Sequence, residues 1–180
     1  VEFCEGLQVP HGQAVIIAQH MPAGFTGSLA RRLAEQCIHQ VEESESGMLL
    51  RSGMVVVAAG GSNWVVTDAG GVPRMEAAPK QGSAVHPEAD ALLESAVRVF
   101  GGSVTAVILT GMGRDGARGA LAVQRAGGRV LVQLPETAVV QGMPRATIAL
   151  LEPDLVATIP ALADAIAGVC GPSPTSSPYA

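Results

Sequence analysis

Apolar and polar positions follow one order repeatedly along this chain. A short apolar run comes first, then a polar or glycine-rich tip, then a stretch with apolar residues at every third or fourth place. Val15–Gln19 predicts a strand and Phe25–Cys37 the helix after it. Gln40–Glu45 and Met54–Ala59 predict two further strands. Asn63–Thr67 and Val72–Ala77 alternate in polarity around Asp68-Ala69-Gly70-Gly71, which predicts a hairpin. In Pro87–Phe100, Leu92, Leu93, Ala96 and Val99 recur at helical spacing. Thr105–Thr110 predicts a strand that leads to helix Gly116–Ala126, stopped by Gly127-Gly128. Arg129–Gln133 predicts a strand, Gly142–Leu150 a helix with Pro144 in its first turn, Val156–Ile159 a short strand and Ala161–Val169 a closing helix. A first helix is expected from Val1 to about Leu7, and the Pro/Ser-rich tail Gly171–Ala180 is expected to be disordered.

Strands alternating with helices imply right-handed crossovers and an α/β fold: a doubly wound, mainly parallel sheet flanked by helices, with a short antiparallel hairpin. Residues 1–170 read as one domain and 171–180 as its tail, a length that suits a single sizeable core. The chain is 48% hydrophobic and only 15% charged, as expected when strands are buried on both faces. With aromatics at 3%, the core must be built from Val, Ile, Leu and Ala. A net charge of −5 with no basic stripe argues against a nucleic-acid partner. No apolar run approaches the ~18 residues that would span a bilayer. Cys4, Cys37 and Cys170 are scattered, with neither metal-ligand spacing nor a disulfide framework, which suits a reducing compartment.

Two segments carry candidate chemistry. Ala106–Ala117 is an apolar run that stops at Gly111-Met112-Gly113 and is followed by Asp115. Ligands of open α/β sheets sit at the carboxyl ends of strands, where a carboxylate on a glycine-rich turn is placed to orient a histidine. The plainer reading makes Asp115 the N-cap of its own helix, worth ~1 kcal/mol. Gln13–Leu33 repeats the layout with His20 at the polar tip. His20 and Asp115, each following an apolar strand, are expected at one sheet edge within hydrogen-bond reach, as base and orienting group of a Ser-His-Asp arrangement. Gly111-Met112-Gly113 is not a dinucleotide fingerprint, because the third glycine and the distal acid are missing. His11 and His39 read as surface residues and His86 as the approach to a helix.

Gln19-His20-Met21-Pro22 with Phe25, Leu109-Thr110-Gly111-Met112-Gly113-Arg114-Asp115-Gly116, and Pro135-Glu136-Thr137-Ala138 with Gly142-Met143-Pro144 occur in this order. Together they resemble the catalytic domain of the CheB-type chemotaxis methylesterases, from about Val1 to about Gly168. The resemblance implies hydrolysis of glutamate γ-methyl esters on the cytoplasmic helices of chemoreceptors, and glutamine deamidation as a further activity. It implies a cytoplasmic protein with no metal or organic cofactor, commonly behind a receiver domain. It makes His20 the catalytic histidine, Asp115 the triad aspartate and Met112 the source of a backbone N–H for the oxyanion.

The family's nucleophile is a serine in a Gly-x-Ser-Thr-Gly-Gly turn, which the strand–turn–helix layout sets roughly four residues before Val1. Two readings follow. One is a sequence cut short of its serine, favoured because His20 and Asp115 are both present. The other is a relative without a nucleophile that binds receptor helices or a receiver domain without turnover. Cys4 falls inside the first helix and reads as core; Ser28 lies on the helix after His20, and Ser62 on the turn Gly60-Gly61-Ser62-Asn63. None of the three follows a strand and opens a helix. Where the family carries His-Arg-Pro-Ser, this chain has Val85-His86-Pro87-Glu88; where the family has Ala-Pro-Gly with a histidine nearby, it has Ala58-Ala59-Gly60 and Asn63. Substrate contacts are expected to differ there.

Overall fold

The apolar runs become strands whose hydrogen bonds and burial set the positions of the candidate loops. The structure, a computed structural model, describes residues 2–79 and 86–168. Its elements run α1 (Glu2–Glu5), β1 (Val15–Ile17), α2 (Thr26–Ala34), β2 (Val41–Glu43), β3 (Met48–Leu49), β4 (Val55–Val57), β5 (Asn63–Asp68) and β6 (Pro73–Ala78). Then follow α3 (Ala89–Phe100), β7 (Thr105–Ile108), α4 (Ala117–Arg125), β8 (Arg129–Gln133), α5 (Gly142–Leu150), β9 (Leu155–Ala157) and α6 (Ile159–Ala167). The expected tail, Val169 and Cys170 lie outside the described residues.

Parallel pairing joins β1-β4-β2, with Val15 and Val41 both against Val55, and β7-β8-β9, with Val107 against Leu131 and Leu131 against Leu155. The single expected sheet is thus divided by its hydrogen bonds into two groups of three. Both groups share a core, in which Leu7, Val55, Leu131, Leu162 and Ile166 pack with Val15, Ile17 and Val107. The middle strands are the apolar runs read from the sequence: Val55, Val56, Val57, Val130, Leu131 and Val132 are fully buried. Burying each such side chain stabilises the fold by about 1.5–3 kcal/mol.

Most strands and helices are trimmed by a residue or a few at their ends, and three regions differ more from expectation. The expected hairpin is a three-stranded antiparallel sheet, β3-β6-β5, because Met48 and Leu49 pair with Met75 and Arg74. Two residues are too few to show a period. The last strand begins and ends earlier than Val156–Ile159, and α6 starts at Ile159. Pro160 falls in the first turn of α6, where a missing N–H costs nothing. The first helix is a single short turn, α1, rather than a helix reaching Leu7. Packing of α3 on both β5 and α4 completes the frame. The Ser95 hydroxyl, fully buried, accepts from Val66 N–H and donates to Leu92 O, which ties α3 to β5.

Candidate active site

Strand β1 ends at Ile17, and the chain then crosses the end of β4 in a loop that carries His20. Main-chain bonds fix this loop: Met21 N–H donates to His86 O at 3.3 Å, and Met21 O accepts from Gly61 N–H at 3.1 Å. A Cβ at Gly60 would lie 2.5 Å from both Met21 O and Pro22 O, so only glycine lets the loop settle this close. Thr26, buried at the start of α2, donates its hydroxyl to Glu43 Oε1 at 2.5 Å and accepts Gly60 N–H at 2.8 Å.

Strand β7 feeds the second loop. Gly111 N–H donates to Val140 O at 3.0 Å and Gly111 O accepts Met143 N–H at 2.8 Å, which anchors the loop to the start of α5. The buried Gln133 side chain accepts Thr110 N–H at 2.8 Å. Beyond the turn, the Asp115 carboxylate reaches His20: Oδ2 and Nε2 are 2.6 Å apart. The two residues, 95 positions apart in sequence, therefore meet as the strand layout predicts.

The N-cap reading of Asp115 needs correction. Gly116, in the left-handed region at φ +85°, is the N-cap of α4, and no side chain bonds there as a cap. Asp115 instead caps α3: its Oδ2 accepts Ala89 N–H at 2.7 Å and its Oδ1 accepts Asp90 N–H at 2.9 Å, alongside Gly116 N–H at 2.9 Å. Burial pushes the Asp115 carboxyl up, but the bonds from His20, Asp90 and Ala89 outweigh it and hold the group below the usual carboxylate range. An ionised Asp115 can only accept, so His20 Nε2–H is the donor of this bond and Nδ1 is the ring nitrogen that Asp115 does not engage. With side chains 22% and 12% exposed, His20 and Asp115 keep their bond largely sheltered while the ring remains reachable.

Met112 sits between the glycines and is 82% exposed. Among the described residues its N–H has no protein acceptor. Phe25, at the start of α2, and Val139 and Val140, on the segment before α5 that accepts Gly111 N–H, are further exposed apolar residues. Among the described residues none of the remaining candidates is hydrogen-bonded to His20. Cys4 is buried against Ala30, Leu33 and Val57, and burial pushes its thiol up to about 11, which leaves it un-ionised near neutrality. Ser28 is exposed and accepts Arg31 Nη2 at 2.9 Å. Ser62 has no hydrogen bond to His20 or Asp115 among the described residues. His39 is half-buried and accepts Val9 N–H at 3.0 Å, so it holds backbone rather than standing free on the surface. No group of three His, Cys, Asp or Glu gathers as metal ligands among the described residues.

Sequence reasoning missed the groups that hold the pair. Buried Asn63 pairs its Oδ1 with His86 Nδ1 at 2.8 Å and accepts Glu88 N–H at 3.0 Å. It thereby pins the segment that bonds Met21 on one side and presents the start of α3 to Asp115 on the other. The only signal was indirect: Asn63 and His86 are where this chain departs from the family pattern.

A family model described as CheB methylesterase matches residues 2–166. The protein-glutamate methylesterase/protein-glutamine glutaminase 3 of Geobacter sulfurreducens is 40% identical over 160 residues, covering 88% of this chain and 43% of that protein. A protein-glutamate methylesterase/protein-glutamine glutaminase of Moorella thermoacetica is 41% identical over 154 residues, 84% of this chain and 36% of its own length. The chain thus spans less than half the length of these curated relatives. The crystal structure of the Thermotoga maritima CheB methylesterase catalytic domain superposes with a TM-score of 0.89 at 31% identity, covering 93% of this chain and 90% of that one.

Proposed function

The chain belongs to the CheB methylesterase family, and from that premise we propose that it is the hydrolytic core of an enzyme that removes methyl groups from glutamate side chains of a protein, with glutamine deamidation as a second reaction. The observation that carries this reading is the His20–Asp115 bond at 2.6 Å, at the loop ends of two parallel strands.

On this reading His20 Nδ1 takes the proton of a serine hydroxyl supplied upstream of Val1 as the oxygen attacks the ester carbonyl. Asp115 holds Nε2–H and stabilises the imidazolium that forms. The negative charge on the carbonyl oxygen is met by the Met112 N–H, a donor with no acceptor to leave among the described residues. Collapse of the tetrahedral intermediate breaks the C–O bond, and His20 returns the proton to the departing methanol. Water then enters by the same route, with His20 again as base, and frees the glutamate carboxylate. A γ-amide follows the same path with ammonia as the leaving group. The exposed apolar side chains of Phe25, Met112, Val139 and Val140 support a macromolecular substrate, since such a rim suits the side of an amphipathic helix. By the same reading the partners are the methylated cytoplasmic helices of chemoreceptors, with a receiver domain as regulator, and the compartment is the cytoplasm. In the described residues no helix is long and apolar enough to cross a membrane.

The test is to extend the chain upstream through the serine turn and follow methanol release from a methylated receptor helix. Turnover should appear in the extended protein and not in the 180-residue chain. His20→Ala should then lose on the order of 10⁶ in kcat. Undiminished turnover without His20 would refute the assignment.

A further inference from the structure

Helices α3 and α4 exchange their caps. Asp115 stands just before α4 but gives its carboxylate to the first N–H groups of α3. Asp90, in the first turn of α3, returns the contact: its Oδ1 accepts Gly119 N–H in α4 at 2.8 Å, and its Oδ2 accepts Arg118 Nε–H at 2.9 Å. Asp90 is buried, whereas the Arg118 side chain is 66% exposed. The sheltered bond to Gly119 is therefore the one that holds the helices together, and the ion pair is screened by water. A Cβ at Gly119 would stand 2.7 Å from Leu93 Cβ and 3.1 Å from Asp90 Cα, so the close approach that permits this bond requires glycine.

These bonds close a ring. Asp115 is bonded to the main chain of Asp90, the side chain of Asp90 is bonded to α4, and α4 begins one residue beyond Asp115 and its Gly116 cap. A shift of α4 along α3 must move the Asp115 carboxylate away from His20. We propose that Asp90 is a positioning residue for the His20–Asp115 pair: by locking the first turn of α4 to α3, it sets the place of the carboxylate that orients the histidine. The inference rests on the methylesterase reading only for its effect on turnover; its effect on the hydrogen bond stands apart from any activity.

The experiment has two arms. In the 180-residue chain, proton NMR follows the His20 Nε2–H resonance, which lies far downfield while bonded to a carboxylate. Asp90→Ala should shift that resonance upfield or broaden it, at a temperature where circular dichroism shows the fold intact. Asp90→Asn, which keeps an oxygen for Gly119 N–H, should restore it, and Arg118→Ala should leave it in place. In the protein extended through its serine, Asp90→Ala should lower kcat on the order of 10²-fold with KM little changed, the signature of a misplaced reacting group rather than of weaker substrate binding. Where Asp90→Ala does not fold, Asp90→Ser, whose shorter side chain cannot span to Gly119, carries the same expectations. A lowered Tm with the His20 resonance and kcat both at the wild-type value would overturn the proposal and leave Asp90 a helix cap only. Turnover independent of His20 would sink the methylesterase reading instead, while the resonance would still report on Asp90.

Discussion

Replacing Asp115 by alanine separates its structural work from its chemical work, and the cost can be worked from its partners. The carboxylate accepts four donors: His20 Nε2 and the N–H groups of Ala89, Asp90 and Gly116. Ala89 and Asp90 are both buried, so their N–H groups would be left without water as well as without a partner. A buried donor left unpaired costs about 1–3 kcal/mol. A lost helix cap costs ~1 kcal/mol and up to about 2. The expected loss is therefore about 2–4 kcal/mol, against the ~1 kcal/mol expected of an exposed cap on its own helix. For a domain of this size that lowers Tm by roughly 5–15 °C.

The loss should also depend on pH. The Asp115 carboxyl is held below its ordinary value in the fold, so folding favours the ionised form. Its contribution is complete above the unfolded value near ~3.9 and disappears as pH falls through the lower folded value. Urea denaturation at pH 7 and again near pH 3 should show the gap between wild type and Asp115→Ala narrowing in acid. A loss under ~0.5 kcal/mol at pH 7, the range of an ordinary surface change, would refute the reasoning. So would a gap that acid leaves unchanged.

Gly60→Ala should destabilise by about 1–3 kcal/mol through overpacking against Met21 O and Pro22 O, each 2.5 Å from the new Cβ, and in the extended protein should cost turnover because the same atoms flank His20; denaturation and methanol release check the two effects separately. Asn63→Ala leaves Glu88 N–H and His86 Nδ1 without their shared acceptor, and should cost about 1–3 kcal/mol and loosen the segment that holds Met21, seen as faster amide exchange at Met21. Cys4 should resist alkylation at pH 8 in the folded chain and react on addition of denaturant, because burial keeps its thiol protonated; peptide mass mapping reads this directly.

Local physics made much of this protein legible in advance. Val55–Val57 and Val130–Val132 announce buried parallel strands because a strand covered on both faces cannot afford polar residues. Helix α5 and strand β8 have the boundaries that period and turn chemistry predict. His20 and Asp115 could be paired because each ends an apolar run, and parallel strands bring such ends to one edge. What failed were the local details set by a partner far along the chain. Strand β3 exists because β6 offers it a ladder, not because two residues prefer to be extended.

The destination of the Asp115 carboxylate shows the same division most clearly. From sequence an aspartate before a helix caps that helix, since the nearest unpaired N–H groups are its own. In the fold, α3 lies against α4, and its start comes within hydrogen-bond reach of Asp115, so the carboxylate crosses to a helix 25 residues earlier while keeping Gly116 N–H, and Asp90 crosses back. The sequence by itself determined most of the strands and helices and both polar tips, because those follow from periodicity and the chemistry of each residue. Only the tertiary structure decided which N–H groups hold the Asp115 carboxylate and which buried side chain pins the segment beside His20. Hydrogen bonds are satisfied by what is near in space, and nearness in space is set by the packing of the whole core.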